Sequence, residues 1–251
     1  YMAASTYTGN GTTQSIVNSG NNAGAVSFQP DFVWIKKRSA AGNNVLFDAV
    51  RGATKYLISD STLAEGTDAN SLTSFNSNGF TYGNESSGNT NGATYVGWQW
   101  KAGNSAGSSN TSGSITSTVS VNATAGFSIV TYTSNNTAGA TIGHGLGVAP
   151  SMVICRERNT AASWAVYHSA LGATKWLRLN STAASTTSSL EFNSTAPTST
   201  VVTLGGAGSD TNDSSGLLGL AYCFAEVAGY SKFGSYTGNG SADGTFVYTG
   251  F

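Results

Sequence analysis

Apolar residues along this chain come in short runs, which are separated by glycine, asparagine and serine. Clear examples are residues 32–35, 45–47 and 56–58, and in residues 95–100 the side chains alternate between two faces. Runs with a period of two and turn residues between them are typical of antiparallel strands, and signals for helices are nearly absent. The pattern therefore predicts an all-β chain of antiparallel β-sandwiches of the jelly-roll type.

Face-to-face packing of two sheets would bury one set of large side chains inside each sandwich. The expected interior residues are Trp34, Trp98 and Trp100 in the first sandwich and Ile154, Tyr222 and Phe224 in the second.

The sequence also repeats itself. The tetrapeptide Gly-Ala-Thr-Lys stands at residues 52–55 and again at residues 172–175, an offset of 172 − 52 = 120, and Arg38 matches Arg158 at the same offset. Self-similarity at a long period indicates one fold built twice. The pentapeptide Tyr-Thr-Gly-Asn-Gly at residues 7–11 returns at residues 236–240, which indicates the start of a third copy.

These repeats predict the domain organisation. Unit one is expected at residues 1–103 and unit two at residues 126–229. Between them, residues 104–125 are rich in Gly, Ser, Thr and Asn, and we expect a flexible linker that contains one possible strand. Residues 230–251 are expected to form further strands, which either complete unit two or begin a truncated third repeat.

Charge is unusually scarce. Charged residues make up 9% of the chain and the net charge is −1, whereas ordinary globular chains carry about 25% charged residues. A neutral surface argues against nucleic acid or an anionic membrane as a partner, because both are captured by clustered Lys and Arg. No segment approaches the ~20 apolar residues that span a bilayer.

Candidate catalytic groups are few. The chain has two histidines, His144 and His168, and each is explained by capping a strand end. The carboxylates of unit two, such as Glu191 and Asp213, do not form a same-face pair on one strand, although a pair across strands stays possible for glycoside hydrolysis. The sequence therefore predicts a protein that is not an enzyme and that holds no cofactor and no metal.

Two cysteines, Cys155 and Cys223, fall on separate predicted strands. We expect buried free thiols, with a disulfide between them as the alternative.

Binding is the more plausible chemistry for such a surface. Neutral sugars are bound by stacking on aromatic rings together with hydrogen bonds to amides and hydroxyls. The repeated lysines would contact a ligand or a neighbouring subunit; the alternatives are a core role for the aromatic residues and a simple turn for the lysines. The candidate ligand contacts are Tyr7, Tyr82, Trp164, Tyr167, Lys55 and Lys175.

Four stretches carry a family resemblance: residues 126–132, 143–150, 164–175 and 222–240. Together they resemble a tandem repeat in structural proteins of tailed bacteriophages, especially those of marine bacteria. The resemblance covers nearly all of unit two and, more loosely, unit one, where Asp48 and Arg51 replace His168 and Leu171. It implies concanavalin-like or jelly-roll modules on tail fibres, tailspikes or head appendages, and supplies no catalytic residues.

The leading hypothesis is therefore a non-enzymatic virion appendage protein at the virion surface or otherwise extracellular, which adheres to a host surface glycan. Its expected partners are other virion or filament subunits in a homo-oligomer, because open sheet edges favour pairing with neighbours. Residues 236–251 would add strands to their own unit or to an adjacent subunit. The alternatives are a secreted carbohydrate-binding module of a bacterial surface protein or filament and, less favoured, a polysaccharide depolymerase.

Overall fold

The chain folds almost entirely into strands. The computed structural model describes residues 1–18 and 27–250, and all of its strand ladders are antiparallel. The strands are β1 (Met2–Thr8), β2 (Gln14–Val17), β3 (Phe32–Lys37), β4 (Asn44–Asp48), β5 (Lys55–Ile58), β6 (Gly66–Thr67), β7 (Leu72–Asn76), β8 (Gly79–Tyr82), β9 (Thr94–Trp100), β10 (Ser108–Asn110), β11 (Ser117–Asn122), β12 (Phe127–Thr133), β13 (Thr141–Gly143), β14 (Met152–Glu157), β15 (Ala165–His168), β16 (Lys175–Arg178), β17 (Thr186–Thr187), β18 (Val201–Thr203) and β19 (Leu218–Phe224). One short helix, α1 (Ser86–Asn89), and 3₁₀ turns at Ala123–Ala125 and Ser169–Leu171 complete the described elements. The prediction of an all-β antiparallel sandwich protein is confirmed.

The strands form two large sheets and two small ones. The N-terminal unit, β1 to β9, has a six-stranded sheet of order β1-β9-β3-β4-β5-β6 and a three-stranded sheet of order β2-β8-β7. The C-terminal unit, β10 to β19, has an eight-stranded sheet of order β10-β11-β12-β19-β14-β15-β16-β17 and the pair β13-β18. The jelly-roll topology and the domain boundaries stay predictions.

Strand register places the two units in correspondence. Val33 lies opposite Gln99 where β3 pairs with β9, and Val153 lies opposite Cys223 where β14 pairs with β19. Val33 and Val153 differ by 153 − 33 = 120, the offset of the repeated tetrapeptide. Strands β1, β3, β4, β5 and β9 of the N-terminal unit thus correspond to β12, β14, β15, β16 and β19 of the C-terminal unit.

A buried asparagine fixes the same loop in each unit. In the N-terminal unit the Asn89 side chain accepts from the Asn10 backbone amide at 2.9 Å, and in the C-terminal unit Asn212 accepts from that of Asn135 at 2.8 Å. Both Asn89 and Asn212 are fully buried, and buried amides have to be hydrogen-bonded. The repeated Tyr-Thr-Gly-Asn-Gly motif at residues 7–11 is therefore a loop anchor.

Each large sheet is apolar on both faces, which produces three cores. One face of the six-stranded sheet packs on the three-stranded sheet through Val33, Phe47 and Phe80. One face of the eight-stranded sheet packs on β13-β18 through residues such as Val153 and Val202. The remaining two faces pack on each other and form a shared core between the units.

The shared core is aromatic. The rings of Phe32 and Tyr222 lie 4.3 Å apart between centroids, and Phe32 also packs on Phe127 of the other unit at 5.9 Å. Aromatic pairs of this kind stabilise by about 0.5–1.5 kcal/mol each beyond the area that they bury. The two units are therefore joined by a hydrophobic interface rather than by a linker alone.

The large side chains expected inside each sandwich lie instead on this shared face. Trp34 and Trp100 pack against the cluster that contains Ile154 and Tyr222, and so does Phe224. The expectation that each sandwich encloses these side chains in its own interior is therefore wrong. Trp98 lies on the same face of the sheet as Trp34, so the expectation is wrong for Trp98 too. Alternation placed these residues on one face of each sheet, but it does not indicate what covers that face.

A buried charge network spans the interface. Arg51 pairs with Asp48 at 2.5 Å and with Glu65 at 3.1 Å, and Glu65 also pairs with Arg158 of the C-terminal unit at 2.5 Å. The Tyr222 hydroxyl donates to the same Asp48 carboxylate at 2.7 Å. Burial opposes the charge on Arg51, but Asp48, Tyr222 and Glu65 outweigh it and raise the pKa of the guanidinium. The network fixes one relative orientation of the units.

Backbone contacts strengthen the same interface. The Glu65 amide donates to the Arg158 carbonyl at 2.6 Å, and the Trp164 indole donates to the Ile58 carbonyl at 2.9 Å. Arg156 donates to the carbonyls of Thr62 and Leu63. Burial lowers the pKa of Arg156 to about 10, so its side chain still carries a charge at neutral pH.

The linker at residues 104–125 is more ordered than its composition suggests. It contains β10 and β11, which extend the eight-stranded sheet. Where it leaves the N-terminal unit, the Asp31 carboxylate accepts from the amides of Ala102 and Asn104 at 2.6 and 3.1 Å. The segment therefore contains two strands, and its assignment as the linker between the units stays a prediction.

The C-terminal strands expected at residues 230–251 are not formed within the described chain. Residues 228–250 contain no strand, and only an isolated bridge joins Val227 to Ser231. The preceding strand β19 is already paired on both sides, by β12 and β14, so it offers no edge to the segment that follows. Residue 251 lies outside the described residues, and pairing with a neighbouring subunit stays a prediction.

Both cysteines are free and buried, as expected. Burial raises the pKa of the Cys155 thiol strongly and that of Cys223 to about 12, so both are unreactive thiols at neutral pH. Over the described parts of the chain, no helix is long and apolar enough to cross a membrane.

Candidate functional site

A cavity of about 130 Å³ lies in the N-terminal unit, beside β4 and β5. Its apolar wall includes Phe47 and Tyr82, whose rings meet edge to face at 5.9 Å. Tyr56 forms another part of the wall and is half-buried. The cavity thus combines aromatic surface with an opening to solvent.

Local sequence explains why the Tyr56 ring can stand there. Tyr56 lies opposite Gly66 where β5 pairs with β6. A Cβ atom at Gly66 would overlap the ring of Tyr56, so a larger residue would displace it. Lys55 precedes Tyr56 in the strand and points to the opposite face of the sheet, because successive side chains alternate.

The floor of the cavity is a saturated carboxylate. Glu85 accepts from the Tyr82 hydroxyl at 2.7 Å and from the Ser87 amide at 2.8 Å, and the Ser87 hydroxyl also donates to it. Burial disfavours ionisation of Glu85, but the bonds from Ser87 and Tyr82 outweigh burial and lower the pKa of the carboxyl. Glu85 is therefore negatively charged at neutral pH, and its oxygens are already occupied.

The rim of the cavity has free polar groups. One carboxylate oxygen of Asp68 accepts from the Asn70 amide at 2.7 Å, and the backbone carbonyl of Asp68 accepts from Ser71. Within residues 1–18 and 27–250, the second Asp68 oxygen, the Asn43 amide group and the Tyr56 hydroxyl have no hydrogen-bond partner. Among the described lining residues none carries a positive charge. The rim can therefore accept hydrogen bonds through Asp68 and both donate and accept through Asn43 and Tyr56.

The structure brings two of the sequence-predicted contacts close to this cavity. Tyr82 lies in its wall and is fully buried, so its ring is closed to a ligand in this structure. Tyr7 stacks on Tyr95 at 5.2 Å, and its hydroxyl donates to the Gly88 carbonyl. Tyr7 does not line the cavity but packs against the core that contains Tyr82. Burial raises the pKa of both Tyr7 and Tyr82, which therefore stay neutral.

The structure does not bring the other predicted contacts together with them. Trp164 is fully buried in the shared core and stacks on Tyr222 at 6.3 Å, so the expectation of an accessible stacking ring there is wrong. Tyr167 packs edge to face on Phe192 inside the C-terminal core. Lys175 is exposed on β16, in the other unit from Lys55.

Of the two carboxylates that the sequence singled out in the C-terminal unit, Asp213 is half-buried and Glu191 lies beneath the surface. Glu191 is fully buried, and one of its oxygens accepts from the Asp210 amide at 2.9 Å. Burial, and then the nearby Asp210 charge, raise the pKa of Glu191 to about 8. Its other oxygen is buried and unpaired. A general acid has to reach the bond that it protonates, and a carboxyl with no exposed surface does not.

The described residues also contain no group of three or more His, Cys, Asp or Glu side chains placed to hold a metal ion. The open cavity beside Tyr56 is consequently the candidate functional site.

The whole chain, residues 1–251, matches the model of a family described as a domain of unknown function, DUF7483. The chain belongs to the DUF7483 family. Neither a curated protein nor a solved structure matches it. The site of this DUF7483 domain is therefore argued from its own geometry.

Sequence reasoning missed the rim of the cavity, which is Asn43, Tyr56 and Asp68, and its floor, Glu85. A usable signal was the scarcity of charge, because in a chain with 12 acidic residues each acid inside a polar turn is informative. The other signal was the repeat itself, in which Tyr56 and Trp176 occupy equivalent positions.

Proposed function

We propose that this DUF7483 domain is a non-enzymatic structural component of a virion surface appendage, of the tail-fibre, tailspike or head-fibre type, and that it adheres weakly to host glycans. The observation that carries the proposal is a pair of sandwiches, joined by a shared core, that presents an open cavity with an aromatic wall. Concave sites that combine apolar surface with a few polar groups are the usual places for small ligands, and this cavity has both kinds of surface.

Several features support a mechanical and adhesive role. The shared core and the Arg51 network hold the two units in one orientation, as a load-bearing or spacing element requires. Repetition of the domain in a homo-oligomer would convert weak single sites into firm attachment through effective concentration. The resemblance to tailed-phage structural repeats supports the location on a particle.

A second candidate, a secreted carbohydrate-binding module of a bacterial surface protein or filament, is favoured by the same cavity. The two candidates differ in location rather than in site chemistry.

Immunogold electron microscopy separates them. Antibodies raised against the purified domain are applied to native virions from the source of the sequence, and to the particle-free culture supernatant and washed cells. Gold on fibres or head appendages is the expected result. Gold that is confined to bacterial surface filaments or to secreted protein would overturn the virion assignment and favour the second candidate.

A further inference from the structure

We propose that the cavity beside Tyr56 binds a single terminal residue of an uncharged sugar chain and rejects acidic sugars. The inference rests on the adhesive role proposed above for its biological setting, and on the geometry of the cavity for its chemistry.

Size limits the ligand first. A volume of about 130 Å³ leaves room for only a small group of waters and is far below the roughly 300–1,000 Å³ of sites that enclose drug-sized ligands. One edge of a pyranose ring with two or three of its hydroxyls displaces such a group of waters. A continuous polysaccharide does not fit, so the ligand enters by its end.

Shape limits it next. Tyr56 is the half-buried aromatic residue of the wall, and it packs against the core that contains the fully buried Phe47 and Tyr82. The C–H face of a sugar ring packs on aromatic surface, and the hydroxyls around its edge then need polar partners. Asn43, Asp68 and the Tyr56 hydroxyl supply these partners at the rim.

Charge decides between sugar classes. Glu85 holds a negative charge at the floor, and Asp68 adds a second carboxylate at the rim. Among the described residues that line the cavity, no Lys or Arg balances them. A uronic or sialic acid would bring its own carboxylate into this field, and buried like charges repel strongly. Hydroxyl groups, in contrast, donate readily to carboxylates.

Existing hydrogen bonds assign the contact to Asp68 rather than Glu85. The oxygens of Glu85 are already occupied by Tyr82 and Ser87, so Glu85 sets the charge and holds the Tyr82 ring in place. One oxygen of Asp68 accepts from Asn70, and the other is free to accept from a ligand hydroxyl.

The probes are matched pairs that differ in one group: methyl glucoside with glucuronic acid, and methyl galactoside with galacturonic acid. Binding to the full chain is measured by ¹⁵N-resolved NMR titration, which also locates the site. We expect at least one neutral glycoside to bind, with shifts at residues 43–45, 56–58 and 68–71, and its acid partner to bind at least tenfold more weakly.

Variants locate the selectivity. Asp68→Asn keeps the oxygen that accepts from Asn70, and we expect it to weaken neutral-sugar binding by roughly tenfold, the loss for one charge-assisted hydrogen bond. The matched control is Ser188→Asn at the equivalent position of the C-terminal unit, which should change nothing. If Asp68→Asn does not fold, Asn43→Ala at an exposed rim position is expected to weaken binding as well.

Several outcomes overturn the inference: no neutral glycoside binds, an acid binds as tightly as its neutral partner, or the shifts fall in the C-terminal unit. None of these results affects the location of the protein on a particle. Conversely, sugar binding by the isolated chain together with virions that carry no gold would overturn the proposed function and leave the inference standing.

Discussion

Equivalent aromatic residues of the two units differ in burial. Tyr56 and Trp176 differ by 176 − 56 = 120 and occupy corresponding strands, β5 and β16. Tyr56 is half-buried at the wall of an open cavity, whereas Trp176 is 4% exposed within the C-terminal core. Arg178 stands where the N-terminal unit has Ile58, and its guanidinium covers the Trp176 ring at 5.0 Å.

The polar residues around that position differ in the same direction. Ser71 of the N-terminal cavity corresponds to Glu191, 191 − 71 = 120; both are buried, but the C-terminal residue is the larger. Asp68 corresponds to Ser188, which carries no charge. One copy of the fold therefore presents a polar opening, and the other closes the equivalent place with large side chains.

The comparison teaches that the scaffold and the site vary independently. The Asn89 and Asn212 anchors make the same bonds, to Gly83 and Gly205 as well as to the loops that follow β1 and β12. Both units also contribute one full face to the shared core. A duplicated sandwich can thus keep its framework in both copies while the surface beside β5 differs from that beside β16.

The largest expected effect concerns the buried ion pair of Arg51 with Asp48, whose equivalent positions in the C-terminal unit are Leu171 and His168. Arg51→Met leaves Asp48 and Glu65 without their buried partner, and we expect a loss of about 3–5 kcal/mol in the free energy of unfolding. Leu171→Met, at the equivalent position of the C-terminal unit, should change it by less than about 0.5 kcal/mol. Urea denaturation measures both changes. A loss below about 1 kcal/mol for Arg51→Met would show that the charge network does not stabilise the contact between the units.

The second effect tests the contrast between the aromatic positions. Trp176→Ala should destabilise by about 3–5 kcal/mol, as for a fully buried ring, because it leaves a cavity. Tyr56→Ala should lose roughly 1–2 kcal/mol, since its ring is already partly in water. Equal losses in the same denaturation experiment would contradict the assignment of an open site to one unit alone.

The third effect tests where the units should agree. Asn89→Ala and Asn212→Ala each leave buried polar groups of a loop without hydrogen-bond partners. We expect each substitution to lower the free energy of unfolding by about 1–3 kcal/mol. Because the bonds are equivalent, the two losses are expected to agree within about 0.5 kcal/mol. Thermal unfolding of the two variants provides the comparison, and a clear difference would mean that the loops are not equivalent.

The fourth effect is a pH dependence specific to the C-terminal unit. Burial raises the pKa of Glu191 from 4.5 to about 8, so between these values the folded chain binds more protons than the unfolded chain. Stability therefore falls as the pH rises through this window. In Glu191→Gln this part of the decline should vanish, which amounts to on the order of 4 kcal/mol at pH 8, because each pKa unit corresponds to about 1.4 kcal/mol. The melting temperature of wild type and variant is measured as a function of pH. If both fall equally between pH 4.5 and pH 8, the raised pKa of Glu191 is refuted.

Much of the fold was predictable because strand periodicity is a local signal. The alternation in residues 95–100 gave β9 and its two faces, and the 120-residue offset gave the correspondence of β3 with β14. Packing between elements is not local. Nothing in the spacing of Trp34, Trp100 and Tyr222 shows that their two faces cover each other.

The site was harder to predict for the same reason. An aromatic residue beside polar neighbours looks alike in sequence whether it is open, as Tyr56 is, or enclosed, as Trp164 is. The acids Asp68 and Glu85 lie in separate turns, 85 − 68 = 17 residues apart, and only the tertiary fold brings them to one cavity. The strands expected at residues 230–251, which the described residues do not form, would have needed a free edge at β19. Only the order of strands in the sheet shows that β19 is paired on both sides.

The central claim is that two repeated units share one core and act as a single rigid body. Differential scanning calorimetry of the intact chain tests it most directly. One cooperative transition, with a ratio of calorimetric to van't Hoff enthalpy of about one, is the predicted result. Two resolved transitions, or a ratio of about two, would show that the units unfold independently and would contradict the account.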